Sequence, residues 1–291
     1  MLLFVFASRT SNPPATGGAA IARPRPHPPP SYAYRPAPAA RKVAFTVRLP
    51  LGSGLLFDVR TGTVLWSDQP DRVLPIASLT KMMTALVVVA HSKPSDQVQI
   101  TPAAVNYSGS GIGLLPLGKR VPEMALLYGL LLPSGNDAAI ALAQHVAGTR
   151  ERFIAMMNAR ARQMGLRCSR FNSVSGIVDL DNHSCARDLA VLAHAMLSNP
   201  LLAHIVGTRQ AIVPFPVQGG KLYLDSNNPL LVTGYAGTNG VKTGYTDAAG
   251  HCLVVTVRRG RWWLGLVLLH SADTAPQAEN LLNTAFAQLG A

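Results

Sequence analysis

Ala77-Ser78-Leu79-Thr80-Lys81-Met82-Met83 opens a run to His91 that is almost wholly apolar apart from Lys81. Leu79, Met82, Met83, Leu86 and Val87 recur at spacings of three and four, which predicts a buried helix rather than a strand. Pro75 stands just before the run and Pro94 just after it, as helix punctuation. Ser78 and Lys81 are three apart and so share one helical face. A lysine in the first turn meets the positive end of the helix dipole, at a cost of roughly 0.3–1 kcal/mol. A choice made for stability would be a glutamate completing a capping box. The same field disfavours the ammonium and favours the neutral amine, the form a base needs. Taken alone, S-x-x-K also fits a serine cap beside an outward-snorkelling lysine.

Working outward, residues 54–59 and 63–66 flank Arg60-Thr61-Gly62 and read as a hairpin. After the Ser78 run, residues 123–132, 138–146, 151–164 and 186–197 are helix-periodic, with Gly148, Gly165 and Pro200 as stops. Strand character then returns. Residues 211–217 and 221–224 flank Gln218-Gly219-Gly220 as a second hairpin. Residues 241–245, 251–257 and 262–269 are spaced as a meander, and 274–289 close the chain as a helix. Strands at both ends around a helical middle predict one α+β unit whose antiparallel sheet is built from the two chain ends.

The 291 residues suffice for one large domain with a sizeable core. The formal charge of +12 is unevenly placed. Seven of the 26 Lys and Arg, and none of the 14 Asp and Glu, fall in residues 1–48. No recognition helix, RNP-like aromatic motif or zinc-finger spacing accompanies the charge, so a nucleic-acid partner is not expected. A basic tail near anionic lipid or cell-wall polymer accounts for it. Residues 11–40 are rich in proline and alanine, with Pro24, Pro26 and Pro28-Pro29-Pro30 close together, and read as a disordered tether. Leu2-Leu3-Phe4-Val5-Phe6-Ala7 ahead of it is shorter than a signal-peptide core and lacks preceding basic residues, and it reads either as the remnant of an export signal or as no signal at all. The expected division is a tether, with any signal remnant, over 1–48 and one folded domain over 49–291. Cys168, Cys185 and Cys252 show no ligand spacing. Cys252 reads as a core residue, and a Cys168–Cys185 disulfide stays open.

Two further signals stand where they could face Ser78. Ser134-Gly135-Asn136 ends the apolar Leu130-Leu131-Leu132-Pro133 and opens a helix. Lys242-Thr243-Gly244 lies in Thr238-Asn239-Gly240-Val241-Lys242-Thr243-Gly244-Tyr245-Thr246. Each has an ordinary alternative, a helix cap for the first and a lysine-protected edge strand for the second. Together, Ser-x-x-Lys, Ser-x-Asn and Lys-Thr-Gly in that order are the set of the penicillin-recognising acyl-serine transferases. The residues around them, with the Phe171 to Gly176 segment and Ala186-Arg187-Asp188-Leu189-Ala190, closely resemble the D-alanyl-D-alanine carboxypeptidases over residues 53–289.

The resemblance implies a β-lactamase/transpeptidase-like fold and a covalent acyl-enzyme on Ser78, with neither metal nor cofactor. Lys81 is the expected base, Ser134 a proton relay to the leaving amine, and Asn136 the amide orienting Lys81 or substrate. Lys242 and Thr243 are expected to read the substrate's terminal carboxylate. Gly244 lets a peptide lie against the strand edge. The N–H groups of Ser78 and Tyr245 are expected to form the oxyanion hole. The implied partners are stem peptides ending in D-Ala-D-Ala and β-lactams, met outside the cytoplasm. Endopeptidase or transpeptidase action at the same site, and a non-catalytic peptidoglycan-binding module, are the alternatives. No G-x-S-x-G elbow or H-E-x-x-H motif occurs. Glu151 is the only glutamate between Ser134 and Lys242 and reads as a surface position, which argues against a class A β-lactamase. Gly109-Ser110-Gly111-Ile112-Gly113 reads as a flexible loop, and His183, His194 and His251 as surface or core residues.

Overall fold

The computed structural model describes residues 35–36, 42–44, 50–177 and 180–291. The expected signal remnant and most of the expected tether lie outside them. In chain order the first elements are β1 (Arg35–Pro36), β2 (Ser53–Asp58), β3 (Thr63–Asp68) and β4 (Leu74–Pro75). A 3₁₀ turn, Ala77–Thr80, runs into α1 (Lys81–His91). Next come β5 (Gln97–Gln99), α2 (Pro102–Val105), β6 (Arg120–Pro122), α3 (Glu123–Leu131), α4 (Asn136–Ala147) and α5 (Arg150–Gln163). They are followed by β7 (His183–Ser184), α6 (Ala186–Ser198), α7 (Pro200–Val206), β8 (Gln210–Pro214), β9 (Lys221–Asp225) and α8 (Pro229–Val232). The chain finishes with β10 (Thr238–Thr246), β11 (Gly250–Arg259), β12 (Trp262–Ser271) and α9 (Thr274–Leu289).

The main sheet has the order β1-β3-β2-β12-β11-β10, so three strands from the start of the chain lie beside three from its end, joined at β2 and β12, and the sheet is built from the two chain ends as expected. Its strands are covered on both faces, and period-2 alternation assigns each side chain to a layer. Leu56, Leu253, Val255, Leu264, Leu266 and Leu268 point to one face, where Leu281, Leu282, Ala285 and Phe286 of α9 cover them. Leu55, Phe57, Val254, Val267 and Leu269 point to the other, into the core shared with α1, α4 and α6. α1 is the hub of that core, buried continuously from Lys81 to Val88. No single described helix is long and apolar enough to cross a membrane.

Two differences from the sequence reading concern the edge. β1 adds a parallel pair to the otherwise antiparallel sheet, with Arg35 opposite Thr63 and Pro36 opposite Val64. The folded unit also reaches back across the expected boundary at residue 49. Val43 is buried against Leu65, and its N–H donates to the Leu65 carbonyl (3.0 Å). The Gln288 side chain pairs with both backbone groups of Ala44. A Pro- and Ala-rich composition hides such a strap, because its partners are backbone groups of distant elements.

Cys168 and Cys185 form a disulfide, and Cys252 is buried in β11. The bridge closes a loop of sequence separation 17, for which the chain-entropy estimate is about 3 kcal/mol. Cys168→Ser with Cys185→Ser is therefore expected to lower unfolding stability by roughly that amount, read from the denaturant midpoint at an unchanged slope.

Candidate active site

The turn that carries Ser78 is held by a clamp from the opposite side. Ala77 has a left-handed backbone (φ 45°), a costly state for a residue with a side chain. Gly176 (φ 83°) packs directly on the Ala77 carbonyl, where any Cβ would collide with its carbon and oxygen. Thr80 Oγ1 donates to that same carbonyl (2.8 Å) and accepts from Asn182 Nδ2 (2.8 Å). Thr84 Oγ1 donates to the Val174 carbonyl (2.6 Å), and Ser173 Oγ accepts the N–H groups of Ser175 and Gly176. Residues 173–176 together with Asn182 thus fix the backbone beneath Ser78.

Lys81 is fully buried. Its Nζ lies 2.7 Å from Ser78 Oγ, 2.7 Å from Asn136 Oδ1 and 2.8 Å from the Ser175 carbonyl. A neutral amine has two N–H groups and one lone pair. Two carbonyl-type acceptors take the N–H groups and leave the lone pair for the Ser78 hydroxyl. Burial first, and then the charge of Lys242, hold the Lys81 amine well below the ordinary lysine value, with Asp137 opposing them. The sequence reading credited the helix dipole; desolvation is the larger cause.

The second signal sits at the start of α4. Ser134 is left-handed (φ 69°), and its Oγ is buried without a hydrogen-bond partner. Asn136 is fixed by its neighbours. Nδ2 donates to the Ser108 carbonyl (2.6 Å), and the backbone N–H donates to the Ser110 carbonyl (2.8 Å). The buried Asp137 carboxylate accepts the N–H groups of Ile112 and Gly113, each at 3.0 Å. The glycine-rich 109–113 segment, read as a flexible loop, is pinned to the start of α4 by these bonds.

The third signal lies on β10, the edge strand of the sheet. Gly244 presses so closely on the turn that a Cβ there would lie 3.0 Å from Ser78 N and 3.1 Å from Ile76 O. Thr243, Gly244 and Tyr245 join Ser78 and Ser134 in lining a cleft of about 340 Å³. Ser110, Asn227 and His251 line it too, and the His251 ring stacks obliquely on Tyr245 at 4.6 Å between centroids. Lys242 is the exception, because its side chain turns inward. It is 2 % exposed, Nζ donates to the Thr243 carbonyl (3.0 Å), and burial pushes its pKa down to about 7. A second cleft of about 440 Å³ lies beyond Asn136, with the exposed Glu151 among its lining residues.

The structure therefore joins Ser78, Lys81 and Asn136 in one hydrogen-bonded set. It sets Ser134, Thr243, Gly244 and Tyr245 around Ser78, and holds Lys242 below the cleft wall. Sequence reasoning missed the Ser175 carbonyl, since a backbone acceptor leaves no signature in residue type. It also missed Asp137 as an anchor, although a carboxylate beside Asn136 was there to be asked about. His251 was read as an ordinary surface or core residue.

Comparison with known proteins gives a consistent answer. The profile of peptidase family S11, D-alanyl-D-alanine carboxypeptidase, matches residues 44–273. The D-alanyl-D-alanine carboxypeptidase DacF of Bacillus subtilis is 31% identical over 245 residues, covering 81% of this chain and 62% of that protein. A D-alanyl-D-alanine endopeptidase of Pseudomonas aeruginosa is 36% identical over 224 residues, covering 76% of this chain and 71% of that one. The crystal structure of the Streptomyces K15 DD-transpeptidase superposes with a TM-score of 0.78 at 31% identity, covering 84% of this chain and all of that one. The chain thus spans less than two thirds of the Bacillus relative.

Proposed function

The chain belongs to the D-alanyl-D-alanine carboxypeptidase family of serine peptidases, and from that premise we propose that it removes the terminal D-alanine of peptidoglycan stem peptides. The observation that carries the reading is the placement of Lys81 Nζ 2.7 Å from Ser78 Oγ, with two carbonyl oxygens to occupy its N–H groups. In the proposed cycle the Ser78 proton passes to Lys81 as Oγ attacks the carbonyl carbon of the penultimate D-alanine. The N–H groups of Ser78 and Tyr245 receive the oxyanion, supported by the close seating of Gly244 against Ser78 N. The peptide C–N bond then breaks, and the leaving amine takes its proton through the Ser134 hydroxyl. Water hydrolyses the ester and restores Ser78. The edge of β10 offers the peptide a strand to pair with, and β-lactams are expected to acylate the same oxygen. An extracytoplasmic site of action fits the Cys168–Cys185 disulfide, a bond that persists in oxidising compartments.

Lys242 takes a modified role in this reading. Buried below the cleft, it is a source of positive potential for the substrate carboxylate, which Thr243 meets directly, and its charge depresses the Lys81 amine. The pH dependence follows. Lys242, with its folded value near 7, is charged below that pH and loses its charge as pH rises through it. Catalysis needs Lys81 neutral and Lys242 charged, so kcat/KM for a carboxylate-ended peptide is expected to fall on the alkaline side with a midpoint near pH 7. Lys242→Gln is expected to remove that limb and raise KM about tenfold or more, in pH–rate profiles of the two proteins.

A second reading, cleavage of cross-links by the same site, is favoured by the 36% identity to the Pseudomonas endopeptidase. Purified protein incubated with pentapeptide muropeptides and with cross-linked dimers separates the two. Free D-alanine from the pentapeptide supports the carboxypeptidase. Conversion of dimer to monomer without D-alanine release supports the endopeptidase. Muropeptide binding with neither product supports a non-catalytic module.

A further inference from the structure

Away from the cleft, the first turn of α3 holds a buried carboxylate that faces an imidazole. Glu123 is completely buried, and neither of its carboxylate oxygens has a hydrogen-bond partner. The Ser92 hydroxyl donates to the Val88 carbonyl (2.9 Å) and lies close enough to the Glu123 carboxyl to oppose part of the effect of burial on it. A carboxylate withdrawn from water is strongly disfavoured unless a positive charge compensates it. Such a group is found where something compensates it.

Two side chains face it. His145 Nε2, from the last turn of α4, stands 3.6 Å from Glu123 Oε2 and 3.7 Å from Asp96 Oδ2. One donor atom from each of the three residues lies within 4.8 Å of the others. Those separations exceed ordinary hydrogen bonds. They suit donors arranged around one small ion, since bonds of about 2.0–2.2 Å at tetrahedral angles hold ligand atoms roughly 3.4 Å apart. The cluster is also pre-arranged. Glu123 N–H donates to the Asp96 carbonyl (2.9 Å), and Asp96 Oδ2 accepts from Lys93 N–H (3.0 Å).

We propose that Asp96, Glu123 and His145 form a binding site for a divalent transition-metal ion of the zinc class, with water completing its coordination. One imidazole and two carboxylates form a mixed nitrogen and oxygen set that suits zinc, whereas calcium takes six to eight oxygens and magnesium favours oxygen alone. Two carboxylates balance the 2+ charge. Asp96 and His145 keep 37% and 25% of their side chains exposed, which leaves a route in from solvent, while Glu123 at 0% forms the floor. The ion would join the turn before β5, the start of α3 and the end of α4. Its role is structural, because α4 presents Asn136 to Lys81 from its opposite end and no residue of the cluster lines the Ser78 cleft.

The test uses the intact chain, stripped with chelator and titrated with zinc chloride by calorimetry and thermal denaturation, beside His145→Gln and Asp96→Asn. Both substitutions are at partly exposed positions, and Glu123→Gln serves as a third variant. The expected result is one tightly bound equivalent and a saturable rise in Tm for the wild type. Each variant should bind at least tenfold more weakly and lose the rise, with β-lactam acylation of Ser78 unchanged in His145→Gln. The proposal is overturned if the wild type shows no saturable zinc-dependent rise. It is equally overturned if His145→Gln and Asp96→Asn bind zinc as tightly as the wild type, which would place the ion on other groups.

Discussion

Lys81→Gln yields a folded protein that a penicillin acylates roughly 10⁴-fold more slowly than the wild type. Glutamine still donates to the Asn136 and Ser175 oxygens that hold Lys81 Nζ. It has no basic lone pair to receive the Ser78 proton, so positioning is largely kept while proton transfer is lost. The same change removes an amine from a fully buried position shared electrostatically with Lys242. Thermal stability should therefore hold or rise, the usual relation between a strained functional group and the fold that carries it. A stopped-flow acylation rate and a melting curve on the same sample distinguish lost chemistry from lost structure. An acylation rate within tenfold of wild type would remove Lys81 from the role of base.

The second large effect is expected where no catalytic group is touched. Gly176→Ala inserts a methyl group into the Ala77 carbonyl and 2.8 Å from Thr80 Oγ1, at a left-handed backbone (φ 83°). Backbone cannot yield as the end of a side chain can, so Ala77 must move and carry Ser78 with it. A displacement of about 1 Å at a nucleophile costs on the order of 10²-fold in rate. The left-handed conformation adds roughly 1–2 kcal/mol of destabilisation. Gly118→Ala supplies the comparison, with a similar φ of 74° and nothing within 4 Å of the added carbon. It is expected to lose about 1 kcal/mol of stability with acylation unchanged. Equal acylation rates in the two variants would show that Gly176 does not hold the nucleophile's turn.

These two substitutions mark what was legible in the sequence and what was not. The spacing of Ser78 and Lys81, with the apolar run behind them, gave both the helix and the proximity of amine to hydroxyl. The strands expected at residues 54–59 and 262–269, from their turn signals and spacing, are found at 53–58 and 262–271, and the last helix lies at residues 274–289, as expected. The clamp by Gly176 and the Ser175 carbonyl was not readable as geometry, because a carbonyl and a missing side chain act there. Lys242 was read as a cation facing substrate, since a motif states which residues occur and not which face of a strand they occupy. The structure buries it to 2 % exposure, with Nζ donating to the Thr243 carbonyl. Val43 and β1 were hidden by a composition that favours extended chain. Asp96, Glu123 and His145 come from three separate elements, so no local spacing connects them.

The central claim is a covalent acyl-enzyme on Ser78, and intact-protein mass spectrometry after incubation with a fluorescent penicillin tests it most directly. The account predicts one adduct per chain, mapped to the peptide containing Ser78 and absent from a folded Ser78→Ala variant. A well-folded wild type that forms no adduct, or a Ser78→Ala variant that is labelled as fully as the wild type, would contradict it.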